Sequence, residues 1–199
     1  GVSKITTQCP HCFNTFANEY PQFGGEYEVV HHSQLLASLL TSGRLPEPKK
    51  SNGDRKRIAY HDPCYLGRHN DVYVAPRQAL AGAGAIDVVE MPRHGTRALC
   101  CGAGGARFWM EEQTGKKVNV ERSEEALGTE ADEIAIACPF CFVMIDDGVK
   151  ELGRPDVPVR DLAMILAEGL LDGDPVDDSS DRGGRNDAPP ANRPSPEPE

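Results

Sequence analysis

Seven residues in this 199-residue chain are suited by type and spacing to one kind of chemistry: Cys9, Cys12, Cys64, Cys100, Cys101, Cys138 and Cys141. They fall into two blocks. The second reads C-x35-CC-x36-C-x2-C from Cys64 to Cys141, and the first is a lone CPxC at Cys9–Cys12. Four thiolates are what an iron–sulfur cluster ordinarily needs, and converging segments of the second block could supply five soft ligands of the type that iron takes. Disulfides fit poorly, because an odd count without a secretory signal leaves a thiol over and adjacent cysteines bridge only with strain. A structural zinc site would use two C-x2-C arms. Here those arms stand 125 residues apart, against roughly 15–20 in ordinary zinc sites, and Cys64 and the CC pair would have no role. A redox pair at a helix N-terminus suits either CPxC alone but ignores the other thiols. The GAGGA stretch behind the CC pair lacks the G-x-G-x-x-G spacing and the Lys-Ser/Thr of a phosphate loop, so it reads as a close-approach turn.

Elements of an α/β layer must position these residues. RIAYH (57–61), IDVVEM (86–91) and DEIAIAC (132–138) read as short buried strands. VYVAPRQALAGAG, TGKKVNVERSEEALG and PFCFVMIDDGVKELG read as helices between and after them, the second with Ser123 to Glu125 on an exposed face. Alternation of this kind implies parallel strands with right-handed crossovers in a Rossmann-like arrangement. Ligands of such sheets bind at the carboxyl ends of strands, which is where Cys64, Cys100, Cys101 and Cys138 fall.

An internal repeat organises the rest. CPHCF at 9–13 recurs as CPFCF at 138–142, an offset of 129 residues that also sets Val30 on Val159, Leu35 on Met164 and Leu36 on Ile165. Each copy continues into a short extended segment and an apolar helix, HHSQLLASLL or RDLAMILAEGL. The expected organisation is therefore the end of a first repeat at 1–45, a Pro- and charge-rich linker at 46–56, a complete second repeat at 57–171, and a tail at 172–199. The start inside a repeat is read as that of a fragment. The tail carries eight acids and three arginines, half of the net charge of -10, and its Pro, Gly, Ser and Asp content predicts disorder. That acidity excludes a nucleic-acid footprint, the basic cluster at 49–57 reads as a solvated loop, and no apolar run is long enough for a spanning helix.

From about residue 55 to 171 the chain resembles the CCG, or cysteine-rich, domain family found in heterodisulfide reductase, which includes iron–sulfur subunits of glycolate oxidase and anaerobic glycerol-3-phosphate dehydrogenase. Cys64 within HDPCYLGR, Cys100-Cys101-Gly102 and Cys138-Pro-Phe-Cys141 carry the resemblance, and Cys9 and Cys12 match the closing CxxC of a preceding copy. The resemblance implies a [4Fe-4S]-type cluster, cubane or noncubane, held through Cys64, Cys100, Cys101, Cys138 and Cys141. It also implies an oxidoreductase role in electron transfer, with a redox partner subunit or an upstream ferredoxin-like or flavin domain, and a first repeat lying mostly outside this sequence. The expected location is cytoplasmic, with any membrane association supplied by residues not in this sequence.

Other residues are read more plainly. His31 and His32 are expected to cap a helix or lie at the surface. His61, His69 and His94 flank the cysteines and either tune potential, relay protons or face solvent. Arg68 either offsets cluster charge or forms a surface ion pair. Phe108, Trp109, Phe140 and Phe142 are expected to form core or shield the cluster from water. Two readings remain beside electron transfer: a non-redox zinc module and an assembly scaffold.

Overall fold

The computed structural model describes residues 1–46, 48, 53, 55–110 and 114–171. The expected linker falls largely, and the expected tail wholly, outside the described residues. Strand β1 (Lys4–Thr7) leads into a short helix α1 (Pro10–Asn14), which passes through a π turn and a 3-10 turn to Gly24. Strand β2 (Glu28–His31) pairs parallel with β1, with Thr6 opposite Val30, and runs directly into helix α2 (His32–Thr41).

The larger unit begins with β3 (Lys56–Tyr60), the one-turn helix α3 (Cys64–Gly67), α4 (Val74–Ala81) and β4 (Ile86–Val89). A long loop with two 3-10 turns carries the CC pair to α5 (Val118–Leu127), then β5 (Glu133–Ile136), α6 (Pro139–Glu151), β6 (Val159–Asp161) and α7 (Leu162–Leu170). All four strands are parallel in the order β4-β3-β5-β6. The three strands and five longer helices expected from the sequence are all present, with ends shortened by a few residues.

Burial explains why so short a sheet holds. Every residue of β5 is buried, as a parallel strand covered on both faces requires. Side chains alternate between two cores. Ile58, Tyr60 and Ala135 face α4 and α7 with Leu80, Leu162 and Leu166, while Ala59, Ile134 and Ile136 face α6 with Ile145 and Val149. Glu133, fully buried, is neutralised by Lys56 Nζ at 2.6 Å and by Arg160. Leu36, Leu40 and Leu45 pack onto the first core, so α2 adds a further covering helix.

Between β3 and β5 the strand order reverses direction: α4 carries the chain to β4 on one side, and α6 carries it to β6 on the other. Such a switch point opens a crevice at the carboxyl ends of the two central strands. Cys64 and Cys138 follow those strands.

The repeat is visible as geometry, with one correction. β1 and β5 keep the 129-residue offset, but Thr7 pairs with His31 whereas Ile136 pairs with Asp161. The second copy has one more residue between its CPxCF and its last strand, so Val30 corresponds to Arg160 and the N-cap His31 corresponds to the N-cap Asp161. The offset of 129 misaligned this part by one residue. Among the described residues no helix is long and apolar enough to cross a membrane.

Candidate functional site

Three chain segments bring five thiols together at the switch point. β3 ends in His61-Asp62-Pro63, whose extended Pro63 starts α3 with Cys64 as its first residue. Cys138 is the N-cap of α6, with Pro139 at the first helical position, where its missing N–H is harmless, and Cys141 lies one turn on. The CC pair sits in the loop after β4. There Gly102, at φ 93°, turns the backbone so that its N–H donates to Cys100 Sγ at 3.3 Å. A Cβ at Gly102 would lie 3.2 Å from Val118 Cβ and 3.3 Å from the Asn119 backbone nitrogen, so the turn packs directly on α5.

Each sulfur interacts with the next along the series Cys64, Cys100, Cys101, Cys141 and Cys138. All seven cysteines are free thiols. Interactions within the series divide the protons. Cys100 is pulled well below the ordinary thiol range by Cys101 and Cys64 and by the Gly102 N–H. The contact from Cys141, with His11 and the first amides of α6, lowers Cys138 to about 5. Conversely, Cys100 pushes Cys101 up to about 12 and raises Cys64, while Cys101 and Cys138 raise Cys141. Two thiolates and three thiols that interact in series form a donor set whose protons a soft cation would replace. Cys101, Cys138 and Cys141 are buried and Cys64 and Cys100 half-buried, so a bound cluster would be largely enclosed.

Cys9 and Cys12 are not in that series. Cys9 caps α1 and contacts Cys12 and His11, with Nδ1 of His11 3.9 Å from its sulfur, and Cys12 is exposed. His11 also reaches Cys138, so the two CPxC turns adjoin.

A charged shell holds the ends of the strands. Burial would raise the Asp62 carboxyl, yet the Arg77 guanidinium, bidentate at 2.8 and 2.9 Å, and the Gly95 N–H hold it below its ordinary range. Arg77 also pairs with Glu90 and lies over the Tyr60 ring. Arg68, instead of forming a surface ion pair, donates to the Ala98 carbonyl and ties α3 to the segment before Cys100. Arg122, wholly buried, donates from Nε to His61 Nδ1 at 3.0 Å and from Nη1 to the Arg93 carbonyl and Glu125.

Several expectations change here. The stretch of α5 from Ser123 to Glu125 is exposed only in part: Glu124 faces solvent as expected, where it pairs with Lys116, but its neighbours do not. Ser123 is buried and donates to the Ile145 carbonyl, and the Glu125 side chain is engaged by Arg122 and Arg93, because α5 packs on α6. Phe108 and Phe140 contact one another beside the cysteines, but Trp109 is 80% and Phe142 39% exposed, so neither shields the site. Their positions, at the end of a 3-10 turn and on the outer face of α6, leave no layer to cover them. His31 caps α2 as expected but is buried, accepting from the Ser33 N–H while Gln34 closes the capping box. His32 pairs with Asp161 at 3.0 Å. His69 stacks on Tyr65, and His94 bonds the Met91 carbonyl; neither reaches a sulfur. Arg122 and His11 escaped sequence reasoning. A basic residue inside VERSEEAL reads as solvent-facing, and only the HDP preceding Cys64 hinted that a buried histidine needed a partner.

Residues 58–146 match the family model described as a cysteine-rich domain, CCG. "Probable iron-sulfur-binding oxidoreductase FadF" of Bacillus subtilis is 43% identical over 174 residues, covering 87% of this chain and 24% of that protein. "EtfAB:quinone oxidoreductase" of Syntrophomonas wolfei is 42% identical over 178 residues, covering 85% and 24%. A subunit of the dihydromethanophenazine:CoB--CoM heterodisulfide reductase of Methanosarcina barkeri is 36% identical over 173 residues, covering 85% and 41%. The chain thus spans about a quarter of the first two relatives and less than half of the third. With the CCG signature intact and its thiols gathered at one switch point, residues 58–146 match a cysteine-rich domain of the CCG type, and the chain is similar over most of its length to part of a protein named as a probable iron-sulfur-binding oxidoreductase.

Proposed function

We propose that this chain is the iron–sulfur electron-transfer segment of a larger oxidoreductase, with Cys64, Cys100, Cys101, Cys138 and Cys141 holding one [4Fe-4S]-type cluster. The observation that carries it is the series of five interacting sulfurs at the point where two central strands end. Such a cluster supplies one-electron chemistry when bound. The protein's part is to aim the Gly102 N–H at Cys100, to present Cys138 at a helix N-terminus, and to exclude water with the α5–α6 layer. Cys9 and Cys12 are assigned to a second site completed by residues outside this sequence, next to the first through His11. The names of the relatives direct the proposal toward an electron donor protein on one side and a quinone or disulfide acceptor on the other. Seven reduced thiols suit the cytoplasm.

The test is iron, zinc and acid-labile sulfide content, with a visible spectrum, on anaerobically prepared and reconstituted protein. About four iron and equal sulfide are expected, lost in Cys101→Ser and kept in Cys9→Ser. Stoichiometric zinc without sulfide would establish the structural-metal reading instead.

A further inference from the structure

The buried charged shell contains a histidine whose second nitrogen has nothing to bond. His61 is fully buried, and its Nε2 has no hydrogen-bond partner among the described residues. One His61 ring nitrogen and the sulfurs of Cys101 and Cys141 all lie within 4.8 Å of one another. Three elements therefore converge on one point: the end of β3, the CC loop and the first turn of α6. An imidazole among thiolates could serve as a metal ligand or as a hydrogen-bond donor.

Arg122 decides between them. A guanidinium Nε can only donate, and it is 3.0 Å from His61 Nδ1, so Nδ1 must offer its lone pair. The ring's proton then sits on Nε2. Ligation through Nε2 would require removing that proton and leaving an imidazolate, whereas donation requires no change. Arg122 is itself locked by the Arg93 carbonyl and by Glu125, which fixes the direction of its bond to the ring.

We propose that His61 is a positioning residue that donates Nε2–H to a sulfur of the cluster at Cys101 and Cys141, with its tautomer set by Arg122. This rests on the cluster reading above. A hydrogen bond to a cluster sulfur favours the more negatively charged, reduced state, so it raises the reduction potential. Apart from His11 at Cys138, the donors described at this site are backbone amides, which ordinary side-chain substitutions leave in place. His61 is thus a buried side chain through which the potential can be altered without touching a cysteine.

The experiment uses reconstituted protein, with iron and sulfide measured first and the midpoint potential measured by titration followed by electron paramagnetic resonance. Wild type that holds no cluster would refute the cluster reading itself. With the cluster present, His61→Phe is expected to retain iron and sulfide but to shift to lower potential. His61→Gln, which can offer Oε1 to Arg122 and Nε2–H to sulfur, is expected to recover most of the shift. Equal potentials in wild type and His61→Phe would overturn the proposal, as would loss of iron in both variants, which marks a ligand. Should His61→Phe not fold, pulsed resonance on wild type decides: a weak nitrogen coupling transmitted through a hydrogen bond supports donation. A strong coupling of a bound nitrogen, or none, refutes it.

Discussion

The CCG signature and the loop behind it hold three glycines, of which Gly102 is fixed by both its φ and close approach, Gly105 by its φ alone and Gly104 by neither, so replacing Gly102 and Gly104 separately measures what the signature is for. Gly102 has φ 93°, a conformation that costs an ordinary residue about 1–2 kcal/mol. An alanine Cβ there would also approach Val118 Cβ to 3.2 Å, the Asn119 nitrogen to 3.3 Å and Met144 Cε to 3.4 Å. Met144 can swing away, but the Asn119 nitrogen belongs to the first turn of α5 and must move with its helix. Overpacking of this size adds about 1 kcal/mol or more, giving roughly 2–3 kcal/mol in all. At about 2–4 °C per kcal/mol for a domain of this size, Gly102→Ala should unfold about 4–12 °C lower. Gly104 has nothing within 4 Å of the same construction, so Gly104→Ala should stay within about 0.5 kcal/mol of wild type. The assay is thermal unfolding of the reduced, metal-free protein followed by circular dichroism under argon, which separates packing from cluster loss. Equal midpoints for the two variants would refute the argument that Gly102 is fixed by close approach to α5.

The free thiols should also report themselves by their protons. Two of the five, Cys100 and Cys138, are held below the ordinary thiol range, so cadmium bound tetrahedrally by four of the sulfurs near neutral pH should release fewer than four protons per ion; release of four would mean that the neighbouring sulfurs do not lower them. A separate titration concerns His31, which burial and the neighbouring His32 lower to about 4. Between that value and the unfolded value of about 6.5 the unfolded chain binds the extra proton, so stability present above pH 6.5 is lost on acidification at about 1.4 kcal/mol per pH unit. Denaturant unfolding of wild type against His31→Gln should show slopes that differ by this amount below pH 6.5 and coincide above it; parallel curves throughout would refute the burial argument.

The legible part of this molecule was the part written in local pattern. Short apolar runs such as EIAI and IDVV gave the strands, Pro139 after Cys138 gave a helix start, and the cysteine spacing singled out the five thiols that the fold brings to one switch point. What lay hidden depends on contacts between distant segments. Arg122 sits in a stretch whose composition reads as solvent-facing, and its burial follows only once His61 and Arg93, from two other places in the chain, join Glu125 of its own helix around it. Trp109 and Phe142 mislead in the opposite sense, since aromatic character near a cysteine says nothing of which way the backbone points it. The one-residue slip in the repeat had a similar origin. Apolar side chains recur every three or four residues along both final helices, so an offset of 129 and one of 130 look alike until strand register separates them.

That extra residue changes how the two copies meet. It places Asp161, rather than Arg160, at the cap position held by His31 in the first copy. An acid at that position can do what a histidine there cannot: it accepts from its own helix at the Ala163 N–H, from the Gln8 side chain and from His32, drawing three donors to one carboxylate. Two of the three come from the first copy. Burial alone would raise the Asp161 carboxyl, but His32, Gln8 and the Ala163 amide hold it below the ordinary range, so it is charged where it is needed. The turn before Cys9 is thereby fixed against the strand end that precedes α7, and His11, wedged between Tyr65 and Phe140, is carried to Cys138. His11 and Phe140 are the same position of the two CPxC motifs, touching one another. The copies therefore face each other through equivalent residues that differ in type, and it is this difference, an acid cap against a histidine cap and a phenyl against an imidazole, that lets one copy bind the other instead of merely resembling it.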